Sequence, residues 1–202
     1  MRAAGHRRST VPPPGHHLAQ ANVMHAKCPP DDPRMAEFVA LLAPMNRLAD
    51  SSPGFVWRLQ TEDGDATGIQ AFDDPLTLIN MSVWQSQEAL WNYAYASQHL
   101  NVMRRRREWV AKVADVVLAL WWVEAGHIPT VTEANQRLAL LRAHGPTPGA
   151  FTFRQSFPPP GPGLAEADGY SFASHRDGEA TREAPAGRGD IPASPPQPVV
   201  PR

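Results

Sequence analysis

Between residues 17 and 154 the apolar positions keep two rhythms. Strict alternation marks strands, whose side chains point to opposite faces in turn, and a three-to-four-residue repeat marks helices. HLAQANV (17–23) alternates and predicts a first strand. DDPRMAEFVALLAPMNRLADS (31–51) places Met35, Phe38, Val39, Leu42 and Met45 at helical spacing. Asp31 or Asp32 stands where an N-cap belongs, Pro33 where a helix opens, and Pro44 predicts a kink. GFVWRLQ (54–60) predicts a second strand, TEDGDATG a turn, and GIQAF an extension of the hairpin. LTLINMSVW (76–84) predicts a third strand. From about Ser86 the pattern turns helical, with a break and restart near Ser97. VVLALWWVE (116–124) predicts a fourth strand, followed by a helix over 132–143 capped by Thr132. FTFR (151–154) adds a short edge strand.

The order β-α-β-β-α-β, then a helix, predicts an α+β, ferredoxin-like sandwich with an antiparallel sheet and both crossover helices on one face. Alternation sorts the strand residues into two sets. Ala19, Ala21, Val23, Ile79, Met81 and Val83 form a wholly apolar face, expected under the two helices. Gln20, Asn22, Arg58, Asn80, Ser82 and Trp84 form a mixed face, joined by Trp121 or Trp122 from a fourth strand that is apolar on both sides. A mixed face of this kind suits a ligand cavity, with apolar walls and a few convergent polar groups. It also suits packing on a second copy across a two-fold axis.

Composition sets limits around this domain. The chain has 202 residues and a formal net charge of −1, which speaks against a general nucleic-acid binder. Arg104 to Arg107 would point nearly all round a helix, which turns about 100° per residue, and read as a solvated helix end. No apolar run reaches the roughly 18 residues that a membrane helix needs. No apolar stretch follows Arg7 and Arg8, so an export signal is not expected. The single cysteine, Cys28, rules out an internal disulfide and fits a cytoplasmic setting. Residues 1–15 and 158–202 are rich in proline, glycine and charge and read as a disordered leader and tail around a domain of 16–157.

SVWQSQEALWNYAYASQH (82–99) resembles the strand-end, helix and histidine stretch of antibiotic-biosynthesis-monooxygenase-like dimeric α/β barrels. HLAQANV, DDPRMAEFVALL, ADSSPGFVWRLQTEDGDAT, LINMSVWQSQEAL, RRRREW, LALWWVEAGHIPT and LRAHGPTPGAFTFRQ, over about 16–157, resemble the uncharacterised bacterial DUF3291 family grouped with those barrels. The resemblance implies the fold and a homodimer. It supplies no reaction.

Cofactor-independent oxygenases of that superfamily oxidise electron-rich aromatic molecules, and such chemistry needs donors aimed at a developing anion. Asn80, Trp84, Arg58 and Asn22 are the candidates, with Gln20 and Trp121 lining the ligand. His99 is the candidate proton acceptor, since its ordinary pKa lies near neutrality. Trp84 also fits a core aromatic, Arg58 a partner for a nearby acid, and His99 an ordinary helix-end histidine. Haem-degrading relatives carry an asparagine on the first strand with a tryptophan and a histidine on the second helix. Asn22, Trp91 and His99 resemble that set, which makes haem the alternative to a cofactor-free pocket. GHH (15–17) lacks a third ligand, so no metal site is expected. There is no phosphate loop and no G-x-S-x-G element. His127 and His144 read as loop and helix-cap residues.

Overall fold

The computed structural model describes residues 15–161 except 113, 114 and 116. The leader and tail expected at 1–15 and 158–202 lie outside the described residues, apart from Gly15 and 158–161. Among the described residues four strands form one antiparallel sheet: β1 (His16–His25), β2 (Phe55–Arg58), β3 (Thr77–Trp84) and β4 (Leu118–Glu124), in the order β2-β3-β1-β4. Between them run α1 (Ala36–Asp50), α2 (Gln87–Ala96) and α3 (His99–Arg105), and α4 (Val131–His144) follows β4. This is the ferredoxin-like arrangement, with β3 inserted between β1 and β2, and α4 added.

Local chemistry explains most of the boundaries. Asp32 accepts the Arg34 amide and opens a single 3-10 turn, Pro33–Met35, ahead of α1. α1 runs on through Pro44 to Asp50. Ser86 caps α2 by accepting the Ala89 amide at 3.1 Å, a bond of about 1 kcal/mol. Thr130, not Thr132, caps α4 through the Glu133 amide. Gly54 has φ +80° and lies so close to α2 that an added Cβ would stand 2.7 Å from the Ala89 Cβ. Residues 68–72 do not extend the hairpin as a strand. They lie as a loop whose Ile69, Ala71 and Phe72 pack on the sheet.

The placement of the helices reverses the expectation. The wholly apolar face, Ala19, Ala21, Val23, Ile79, Met81, Val83, Ala119, Trp121 and Val123, packs on Ala134, Leu138 and Leu141 of α4. α1, α2 and α3 cover the mixed face instead. α4 wins the apolar side because Ala19, Ala21 and Ala119 make a flat strip on which its leucines seat closely. β4 lies at a sheet edge rather than in the middle, although it is buried on both faces. Its outer edge is bridged by Phe151, which exchanges two 2.8 Å backbone bonds with Leu120. The opposite edge, β2, is four residues long and carries a register irregularity between Phe55 and Trp57.

Candidate functional site

Register assigns the mixed face row by row, because residues paired across antiparallel strands share a face. One row runs Phe55–Trp84–Leu18–Trp122, the next Arg58–Ser82–Gln20–Leu120, the next Asn80–Asn22–Leu118, and the last Leu78–Met24. Two apolar clusters occupy the ends of this series. Leu18, Ala49, Trp84, Leu90, Leu120 and Phe151 form one, with Phe55 and Tyr93 against it. Ala26, Cys28, Met35, Phe38, Leu78 and Trp109 form the other, with Val102 of α3 against it. The polar rows lie between the two. Gln20 and Ser82 are buried there, Asn22 is half-buried and Asn80 is exposed. β2 ends at Arg58, so no strand flanks Asn80 on that side, and Asn80 meets solvent there.

Three hydrogen bonds fix the orientation of these polar groups, because in each one partner has only one role. A backbone carbonyl can only accept. Gln20 Nε2 faces the Asn80 carbonyl at 3.4 Å and Asn80 Oδ1 at 3.0 Å, so the Gln20 nitrogen donates and the Asn80 oxygen accepts. The indole N–H of Trp84 can only donate, so Ser82 Oγ accepts it at 2.8 Å. The Asn80 amide nitrogen and the Ser82 hydroxyl hydrogen therefore remain as donors. His99 Nδ1 lies 3.3 Å from the Ala94 carbonyl, so Nδ1 carries the proton and Nε2 the lone pair.

The break between α2 and α3 falls between the helical contributions to the two clusters, and His99 is the first residue after it. Tyr93 stacks on Trp84 at 5.1 Å between ring centroids and meets the His99 ring at 4.7 Å. Its hydroxyl donates to the Met45 carbonyl at 3.4 Å. Burial pushes the Tyr93 phenol up to about 12, against a smaller opposing pull from Arg58. Burial lowers the His99 pKa, partly offset by the Ala94 carbonyl. His99 is thus held as a neutral base at neutral pH.

The other expected site residues separate. Arg58 is bound by Asp50 at the end of α1, with bonds of 2.8 and 3.2 Å, and its Nη1 donates to the Gly64 carbonyl at 2.7 Å. Asn46 Nδ2 reaches the same carbonyl at 3.1 Å, so these two side chains pin the 61–65 turn. Trp84 is 0% exposed and belongs to an apolar cluster. It supports the site as part of the core. Trp121 lies on the opposite face, where its indole donates to Glu133 at 2.8 Å. Trp122 takes the place on the mixed face and donates to the Phe157 carbonyl. Trp91 is 47% exposed and packs on Tyr95 and Phe153, so it does not join Asn22 and His99. Tyr93 was missed in the sequence. Its spacing of six from His99 gives no helical signal, and only the break at Ser97 brings the rings together.

Among the described residues no cluster of three or more metal-ligating side chains occurs, and no helix is long and apolar enough to cross a membrane. A family model described as a domain of unknown function, DUF3291, matches residues 17–166. No curated protein matches the chain. Solved structures similar to it include the Rv0793 protein of Mycobacterium tuberculosis, at 17% identity and a TM-score of 0.36, covering 56% of this chain and 97% of that one. A protein of unknown function from Nitrosomonas europaea is similar at 17% identity and a TM-score of 0.35, over 57% of this chain and 96% of its own. SnoaB, a cofactor-independent oxygenase from Streptomyces nogalater, is similar at 16% identity and a TM-score of 0.35, over 56% and 95%.

Proposed function

The chain belongs to the DUF3291 family, a domain of unknown function, and from its own geometry we propose that the cleft over the polar rows binds a planar, hydroxylated aromatic or polyketide-like molecule. The observation that carries this reading is the polarity of the cleft. Fixed bonds orient the Asn80 and Ser82 side chains so that each keeps a hydrogen to donate, while His99 keeps a free lone pair. Such a set suits a ligand that loses a proton and gathers negative charge on an oxygen. Asn80 and Ser82 donate to that oxygen, and His99 Nε2 takes the proton.

In the catalytic form of the proposal the reaction is cofactor-independent oxygenation. The anion reduces dioxygen, a C–O bond forms, and the resulting hydroperoxide loses water to leave a carbonyl. One oxygen atom ends in the product and the other in water. The same cleft without that step is a ligand-binding module. The protein is taken as a homodimer in either form. Helices of its own chain pack on each sheet face, so two copies would join elsewhere than through bare sheets.

The test is a titration of wild type, Asn80→Ala and His99→Gln with hydroxylated naphthalenes and anthrones. Tryptophan fluorescence reports binding and an oxygen electrode reports turnover. Losing a hydrogen bond to a charged oxygen costs about 1.5–3 kcal/mol, so Asn80→Ala should bind roughly 10- to 100-fold more weakly. His99→Gln should bind and consume no oxygen. Equal binding by wild type and Asn80→Ala overturns the cleft assignment.

One observation favours haem as a second reading. A histidine whose Nδ1–H is tied to a backbone carbonyl presents Nε2 as metal-binding histidines do. The rest of the set fits poorly, because Trp91 packs at the surface against Phe153. A Soret shift at stoichiometric haem, lost in His99→Ala, would favour this reading over the cofactor-free one.

A further inference from the structure

The break between α2 and α3 is held by one hydroxyl. Ser97 Oγ donates to the Tyr93 carbonyl, one turn back, and accepts the His99 amide at 3.1 Å. These are the two residues whose rings meet at 4.7 Å. A helix end leaves its last carbonyls without amide partners, and the serine back-bond to the fourth residue before it bends the chain. Here two carbonyls of the last α2 turn are taken by side chains from beyond the break: Tyr93 O by Ser97 and Ala94 O by His99 Nδ1. Ser97 itself has extended backbone, with φ −115° and ψ −177°. That conformation swings His99 back over the helix end instead of onward along the α2 axis.

We propose that Ser97 is a positioning residue for His99: its hydroxyl sets the break that seats the imidazole over the Ala94 carbonyl and so selects the tautomer with Nε2 free. This role matters to the proposed function, and the catalytic use of Nε2 rests on that reading, but the seating of the ring does not. In free histidine the Nε2–H form is the commoner neutral tautomer, so a protein that needs a lone pair on Nε2 must hold the other form. The groups placed around the ring are Ser97 at the break, Tyr93 and Ala94 from α2, and burial; both influences on its proton affinity, burial and the Ala94 carbonyl, depend on the same seating. An ordinary helix-capping serine would affect stability alone.

The tautomer measurement needs no substrate; oxygen uptake with the hydroxylated naphthalenes and anthrones is read beside it. Uniformly 15N-labelled full-length wild type, Ser97→Ala and Ser97→Thr are compared by long-range 1H–15N spectra of the imidazoles, with His99→Gln identifying the His99 signals. Wild type should show His99 in the Nδ1–H form, titrating below the ordinary histidine range. Ser97→Ala should move it to a mixture containing the Nε2–H form and raise its pKa toward the ordinary value, with the fold intact by circular dichroism. Ser97→Thr keeps a hydroxyl and should restore the wild-type signals, which keeps the test informative if Ser97→Ala folds poorly. Wild-type His99 signals in a folded Ser97→Ala, or the Nε2–H form in wild type, overturn the proposal. A tautomer change in Ser97→Ala with unchanged oxygen uptake would leave Ser97 as the positioning residue and remove His99 as the base, so the two failures are distinguishable.

Discussion

The two faces of the sheet are built on the same alternation and solve opposite problems. Under α4, small residues on the strands let a leucine-bearing helix sit close, and the face is sealed. Under α1, α2 and α3, large aromatics fill the ends and amides fill the middle, so the cover is incomplete and Asn80 meets solvent. One face can therefore be read as stability and the other as a site.

The largest expected effect would show where the mixed face stops being a site. Trp84→Ala should destabilise by about 3–5 kcal/mol, as removal of a buried aromatic does, with Leu138→Ala on the sealed face at about 2–5 kcal/mol. Urea unfolding measures both. A Trp84→Ala cost below 1 kcal/mol would mean that this end of the cleft is open too. Next comes the pH response of His99. Its folded pKa lies below the ordinary 6.5, so the unfolded state binds the proton more readily. Stability is then full above pH 6.5 and falls as the pH drops through 6.5 to the folded pKa. His99→Gln should lose less stability than wild type between pH 8 and pH 5; an equal loss would show that the ring is not buried in solution. The smallest effect is Asn80→Ala, expected at about 1 kcal/mol, because buried Gln20 Nε2 then keeps only the Asn80 carbonyl as its partner. A loss above about 3 kcal/mol would make the polar floor a structural element and blur the contrast between the faces.

The sequence made the strands, the helix start near Ser86 and the break near Ser97 legible, because each has a local cause in the spacing of apolar and polar residues. It did not show which face the helices cover. Both faces hold enough apolar residues to accept a helix, and β4, apolar on both sides, offered no way to choose between Trp121 and Trp122. Thr130 and Thr132 are equally good caps on paper, and the bend into α4 decides for Thr130. Arg58 was legible as a residue of the mixed face, but its pairing with Asp50 depends on how α1 ends beside β2. The donor polarity of the floor was not legible at all. It comes from the cross-strand register of Gln20, Asn80 and Ser82, a long-range property.

The two margins of the sheet have a consequence for how the chain behaves in a crowded solution. A free strand margin is a template on which another chain can add a strand and begin a fibril. Here the long, apolar β4 is the dangerous one, and the Phe151 bridge takes up the Leu120 amide and carbonyl at its centre. The other margin, β2, is too short and too irregular to seed a ladder. The residues after α4 thus act as a guard against self-templating. Cutting the chain before Ala150 would expose β4 to other molecules of its own kind.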